Sequence, residues 1–223
     1  MIVTIDGPAG SGKSTAARKL AARLEVPYLD TGAMYRALAY AGWQRGIDFS
    51  DEQAVVELAK SVQIELDCGP TFARVRVDGH DVSEAIRTMA VSAVTSKVAG
   101  NPAVRRILVQ EQRRIGCSLG SFVTEGRDQG SVVFPDADVK FVLDAGVDQR
   151  AERRFHEMTV DGENVTLEEV RRNIVTRDGV DAKQWEPLLR SGAAVVIDTT
   201  RRTIAEVVEL LAGHVEKRIH KTP

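Results

Sequence analysis

Residues 7–14 read Gly-Pro-Ala-Gly-Ser-Gly-Lys-Ser. Glycines at this spacing, followed by a lysine and a hydroxyl residue, suit the phosphates of a nucleoside triphosphate. Gly7, Gly10 and Gly12 let backbone N–H groups curl toward an anion, and Pro8, Ala9, Ser11 and Thr15 complete the stretch that would wrap it. The helix that follows adds the partial positive charge of its N-terminus. Lys13 would reach the β- and γ-phosphates, and the Ser14 hydroxyl would take a Mg²⁺ ion. A glycine-rich strand-to-helix turn without a ligand is the alternative. The apolar strand before the loop and the apolar-periodic helix after it argue against that alternative.

Such a loop specifies a bound triphosphate and no more. The Asn-Lys-x-Asp motif of G proteins does not occur, and large ATPase motors need longer chains than these 223 residues. A small-molecule kinase is the class that remains. Three further segments bear on its acceptor. Tyr28–Arg36 reads YLDTGAMYR and sets the Thr31 hydroxyl, Tyr35 and Arg36 just after a strand. Ligands collect at such strand ends in open α/β sheets. Glu125–Asp128 reads EGRD, and an Arg-Asp pair after a buried strand is costly unless both groups have partners. A substrate phosphate for Arg127 and a substrate donor for Asp128 would supply them, as would a structural salt bridge. The third segment is a cluster of Arg150, Arg153 and Arg154 before a polar loop, with Arg171, Arg172 and Arg177 after it. Arginines on a closing lid, Arg150 and Arg154 among them, would neutralise the transferring phosphoryl group and help keep water away.

These residues need a frame. Short apolar strands are predicted at Ile2–Ile5, Val26–Leu29, Phe122–Thr124, Asp138–Leu143 and Ala193–Asp198. Helical patterns lie between them, so the chain reads as α/β, with a five-stranded parallel sheet covered by helices on both faces. Over residues 62–85 the apolar period changes to two and Asp78-Gly79 follows, which predicts a small antiparallel β insert. Ser50…Gln53, Thr166…Glu169 and Thr203…Glu206 are capping-box signals, and Asn101-Pro102 marks another helix start. Helices are expected at about 148–158 and 166–177, forming the lid. The regions are 1–30, 86–147 and 186–223 as core, 31–85 as acceptor region with the β insert, and 148–185 as lid.

Composition narrows the partners. Hydrophobic residues make up 43% and charged residues 28%, as in an ordinary globular chain. The net charge of −2 excludes a generally basic nucleic-acid coat. Aromatic residues are only 5%, so a stacking platform for single strands is missing. Cys68 and Cys117 form no CxxC pair and the histidines have no zinc spacing, which suggests a reducing compartment. No apolar run approaches the ~18 residues of a membrane span, and the first residues read as neither a signal nor a transit peptide. A cytoplasmic monomer without nucleic-acid or membrane partners is expected.

In order along the chain, GPAGSGKST, YLDTGAMYR, EGRDQGSVVFPDADVKFVL and QRAERR together resemble the bacterial cytidylate kinases. The resemblance covers nearly the whole chain and includes the β insert. It implies transfer of the γ-phosphoryl group of ATP to CMP or dCMP with Mg²⁺. It further implies that Arg36 and Arg127 grip the acceptor phosphate, that Ser96, Arg105 and Asp128 contact cytosine, and that Arg177 and Asp181 hold the pentose. One departure stands out. The family pattern R-D-x-x-D-x-x-R ends here in Gln184, and the approach to Pro187-Leu188 is one residue shorter. Another monophosphate or shikimate as acceptor, and a non-catalytic nucleotide-binding regulator, remain the alternatives.

Overall fold

The computed structural model describes residues 1–160, 162 and 164–219, without the side chains of residues 177, 180–183 and 219. The expectations at Arg177 and Asp181 therefore concern side chains outside the described ones. The strands β1 (Ile2–Asp6), β2 (Tyr28–Asp30), β6 (Phe122–Glu125), β7 (Val139–Asp144) and β8 (Val195–Asp198) form one five-stranded sheet in the order β2-β6-β1-β7-β8. β7 pairs in parallel with both β1 and β8. The five-stranded parallel sheet read from the sequence is thus present. β3 (Ile64–Cys68), β4 (Ala73–Val77) and β5 (His80–Asp81) form a separate antiparallel sheet, the expected insert. Its turn places Asp78 and Gly79 at φ 49° and 80°, the paired positive values of the tight hairpin that Asp-Gly favours.

The chain divides into two compact units, Met1–Glu25 with Val123–Pro223, and Val26–Phe122. In the first, α1 (Lys13–Leu24) buries Ala16, Ala17, Leu20 and Ala21, spaced to line one helix face. α8 (Ile204–Ile219) packs against it, and a reciprocal Thr203–Glu206 capping box opens it. α6 (Val147–Val160) and α7 (Leu167–Ser191) pack through Ala151, Val170 and Ile174. The Thr166–Glu169 box starts α7 as predicted. The helix then continues to Ser191 and does not stop near residue 177. Its second half is held because Trp185 and Leu188 bury against Val142 of β7. In the turn before Pro187, the Gln184 carbonyl accepts the Ser131 hydroxyl at 2.7 Å.

In the second unit, α2 (Thr31–Gln44) is capped by Asp30, whose carboxylate accepts the Ala33 amide. α3 (Glu52–Ser61) is capped by Asp51 and not by Ser50. Asp51 accepts the Ala54 amide, while the Ser50 amide is turned back onto Asp48. α5 (Pro102–Leu119) starts as read, with Asn101 accepting the amides of Ala103 and Val104. α4 (Met89–Gly100) escaped the sequence reading because it buries only Val91 and Val98 and so shows no apolar stripe.

Gly7 follows β1 at φ 139°, and a Cβ there would lie 2.0 Å from the Leu143 carbonyl oxygen. Gly7→Ala should lower the unfolding free energy by about 3 kcal/mol, measured by urea denaturation. A variant within about 0.5 kcal/mol of the wild type would show that β7 moves aside freely.

Candidate active site

The phosphate loop begins where β1 ends. Gly10 and Gly12 take φ 75° and 87°, values costly for any other residue. Along the loop, the carbonyls of Pro8, Ala9, Ser11 and Gly12 each meet a donor. The Pro8 carbonyl accepts Lys13 Nζ at 2.6 Å and Ser11 Oγ at 3.0 Å. The Ala9 carbonyl accepts Arg150 Nη1 at 3.2 Å, and the Ser11 carbonyl accepts the Thr199 hydroxyl at 3.0 Å. Gly12 O takes the Ala16 amide and starts the helix. With its carbonyls held back, the loop offers an anion its amides. Lys13 is 5% exposed and rests on the loop's own carbonyl, a bond that an incoming phosphate can replace with a charged partner.

Asp6 is fully buried at the end of β1. Its two oxygens accept the amides of Gln129 and Gly130 at 2.8 and 2.7 Å. Those amides begin a single wide π turn, Gln129–Val133, directly after Arg127 and Asp128. A Cβ on Gly130 would meet Thr4 Oγ1 at 2.7 Å, so only glycine lets the turn sit this close to β1. Asp6 thus fixes the segment carrying Arg127, half-buried, and Asp128, buried. Burial pushes the Asp6 carboxyl up from 3.8 to about 6, against the two amide bonds, which lower it. Ser14 Oγ donates to Glu125 at 2.9 Å. Hydroxyl and carboxylate oxygens are the donors a hard divalent cation takes, so this pair fits Mg²⁺.

The arginines of α6 divide. Arg150 is 3% exposed and bonds to Ala145, Ala9 and Asp178. The sequence places it at the transferring phosphoryl group; its guanidinium lies against the Ala9 carbonyl of the phosphate loop and the Asp178 carboxylate. Arg153 holds the Thr199 hydroxyl and carbonyl. Among the described residues, Arg154 pairs with Glu157, three residues on, at the surface. Arg154, His156, Thr199, Arg202 and Ile204 line a cavity of about 620 Å³ that opens onto Gly10–Gly12 and Thr15. Its size suits a nucleoside.

In the second unit, Arg36 is held by Asp30 at 3.0 Å, the same carboxylate that caps α2. Thr31 is buried in the first turn, with Tyr35 and Arg36 half-buried one turn later. Ser96 is exposed on α4 and Arg105 half-buried on α5. Sequence reasoning missed the supporting roles of Asp6, Thr199, Asp178 and Asp30. For Asp6 a signal existed, a lone acid closing an otherwise apolar strand.

The Asp6 carboxyl makes stability depend on pH. With its value raised in the fold, stability is fully present below 3.8, is lost as pH rises toward about 6, and is flat above. Asp6→Asn does not titrate there. The wild type should therefore lose about 3 kcal/mol relative to this variant between about pH 3.5 and about pH 6.5, read from denaturant unfolding. A constant difference would mean that the carboxyl titrates normally.

Residues 3–217 match the family model described as cytidylate kinase. A protein named cytidylate kinase from Clostridioides difficile (strain 630) is 43% identical over 210 residues, covering 94% of this chain and 95% of its own. Another of that name, from Caldanaerobacter subterraneus subsp. tengcongensis, is 44% identical over 216 residues, covering 96% and 94%. Among solved structures, an uncharacterized protein from Eubacterium ventriosum aligns with a TM-score of 0.54 at 12% identity, covering 97% and 98%. That likeness concerns the fold alone. Match and relatives span almost the whole length and agree with one another: the chain belongs to the cytidylate kinase family.

Proposed function

We propose that this protein transfers the γ-phosphoryl group of ATP to CMP or dCMP, giving ADP and CDP or dCDP. The observation that carries the reading is the Gly7–Thr15 loop with its carbonyls tied back, within a chain matching the cytidylate kinases over residues 3–217.

In this reading the loop amides and Lys13 hold the donor phosphates, and the cavity beside them takes the nucleoside. Ser14, with Glu125 beside it, holds Mg²⁺, which when bound neutralises charge on the β- and γ-phosphates. Arg36 and Arg127 grip the acceptor phosphate. Thr31 and Tyr35 shape its surroundings, and Ser96, Arg105 and Asp128 read cytosine. Arg177 and Asp181 hold the pentose, and Arg154 neutralises the transferring group. The protein's task is alignment and charge stabilisation, since phosphoryl transfer needs little covalent help. Residues 31–85 act as the acceptor region and 148–185 as a closing lid. Among the described residues no helix is long and apolar enough to cross a membrane. We read the protein as a cytoplasmic monomer.

The acceptor is tested with CMP, dCMP, UMP, AMP and shikimate, each with Mg²⁺-ATP in a coupled ADP assay. CMP and dCMP should give the highest kcat/KM, and a clear preference for another acceptor overturns the reading. Lys13→Ala should lower kcat by 100-fold or more, from loss of roughly 3 kcal/mol of charge stabilisation. Near-normal turnover in that variant would remove the loop from the chemistry.

A further inference from the structure

Asp178 has no part in the reading above, yet it neutralises a buried cation behind the phosphate loop. Its Oδ1 and Oδ2 accept Arg150 Nη1 and Nη2 at 2.9 and 2.6 Å, a two-pronged bond. Arg150 Nε donates to the Ala145 carbonyl at 2.8 Å, and Nη1 reaches the Ala9 carbonyl at 3.2 Å. The Arg150 side chain is 4% exposed, so its charge has little water to fall back on. The backbone closes the same contact. A Cβ on Gly10 would lie 2.8 Å from the Arg150 carbonyl oxygen and 3.0 Å from its Cβ. The first turn of α6 therefore lies directly on the Ala9–Gly10 bend.

We propose that Asp178 is a positioning residue for the donor phosphates. It holds the Arg150 guanidinium against the Ala9 carbonyl, and so holds the Ala9–Gly10 bend with its amides toward the ligand. This rests on the reading of the loop as the donor site. The physical requirement is a carboxylate. An asparagine presents one acceptor oxygen, and its NH₂ faces the other prong of the fork with a donor. It also leaves the buried guanidinium without a counter-charge, so Arg150 turns toward water and releases Ala9. Asp178 lies in the turn of α7 between Arg177 and Asp181, the expected pentose residues. An acceptor role for Asp178 is the competing assignment.

The experiment measures ATP binding by calorimetry and the KM values for ATP and CMP, in the wild type, Asp178→Asn, Asp178→Glu and Arg150→Lys. Asp178→Asn should weaken ATP binding and raise the KM for ATP on the order of ten-fold. The KM for CMP should stay within about two-fold. Asp178→Glu should recover most of the loss, because it keeps both oxygens and the charge. Arg150→Lys should resemble Asp178→Asn, since an ammonium cannot make the fork. If Asp178→Asn does not fold, as judged by its circular dichroism melt, Arg150→Lys decides by the same readouts. Unchanged ATP affinity overturns the proposal. So does a rise in the KM for CMP alone, or an equal loss in both substrates without rescue by glutamate. A wild type that binds ATP but does not phosphorylate CMP would overturn the acceptor reading only, and the ATP comparison would still decide on Asp178.

Discussion

Peptide carbonyls repel phosphate oxygens, whereas peptide amides attract them. A loop that cradles a polyanion must therefore turn one set of groups inward and give the other set partners at its back. This chain does so with side chains from the loop itself and from two distant segments. Lys13 and Ser11 serve the Pro8 carbonyl from within the loop. Arg150 of α6 serves Ala9, and Thr199, just after β8, serves Ser11. Much of the surrounding fold follows from that demand. β8 must end beside the loop to deliver Thr199, and α6 must begin on Gly10 to deliver Arg150. Thr199 is itself set by Arg153 and by its amide bond to the Asp144 carbonyl at the end of β7.

The second constraint is the burial of Asp6. A carboxylate at the closed end of a strand is costly, and its burial pushes the carboxyl up to about 6. Two short amide bonds offset part of it and define where the chain must run after β6. The wide turn Gln129–Val133 gathers successive amides around one acid, and Gly130 makes the approach possible. Arg127 and Asp128 precede that turn immediately. Their placement depends on a residue that touches no substrate in the functional reading.

The parallel sheet, the β insert and the phosphate loop were legible because each has a local signature. Short apolar runs recur between helical patterns, alternation ends at Asp78-Gly79, and Gly12-Lys13-Ser14 opens a helix. Helix ends were less so: Asp51 outcompetes Ser50 as a cap because the Ser50 amide is already taken by Asp48. α4 was invisible because small residues and only two buried valines give no periodic stripe. The long run of α7 depends on Trp185 and Leu188 meeting Val142, a tertiary contact that overrides the breaking tendency of Pro187. At the site, chemistry-bearing residues could be named from their motifs. Their supports could not, since Asp178 and Thr199 acquire meaning only through partners 28 and 188 residues away.

The arginines show why type and spacing alone do not assign a role. A side chain that must leave its resting partner when a phosphate arrives should hold that partner weakly. Arg154 fits: its pair with Glu157 is exposed, and such pairs are worth about 0–1 kcal/mol. Arg171, paired with Asp148 at the surface, is equally free to exchange. Arg150 and Arg153 do not fit. One is buried in a fork with Asp178, and the other is committed to both the hydroxyl and the carbonyl of Thr199. Pulling the buried Arg150 guanidinium away from the partly buried Asp178 would leave its charge uncompensated, which is strongly unfavourable. A single run of arginines in α6 therefore separates by burial into residues that shape the loop and residues able to meet what the loop binds.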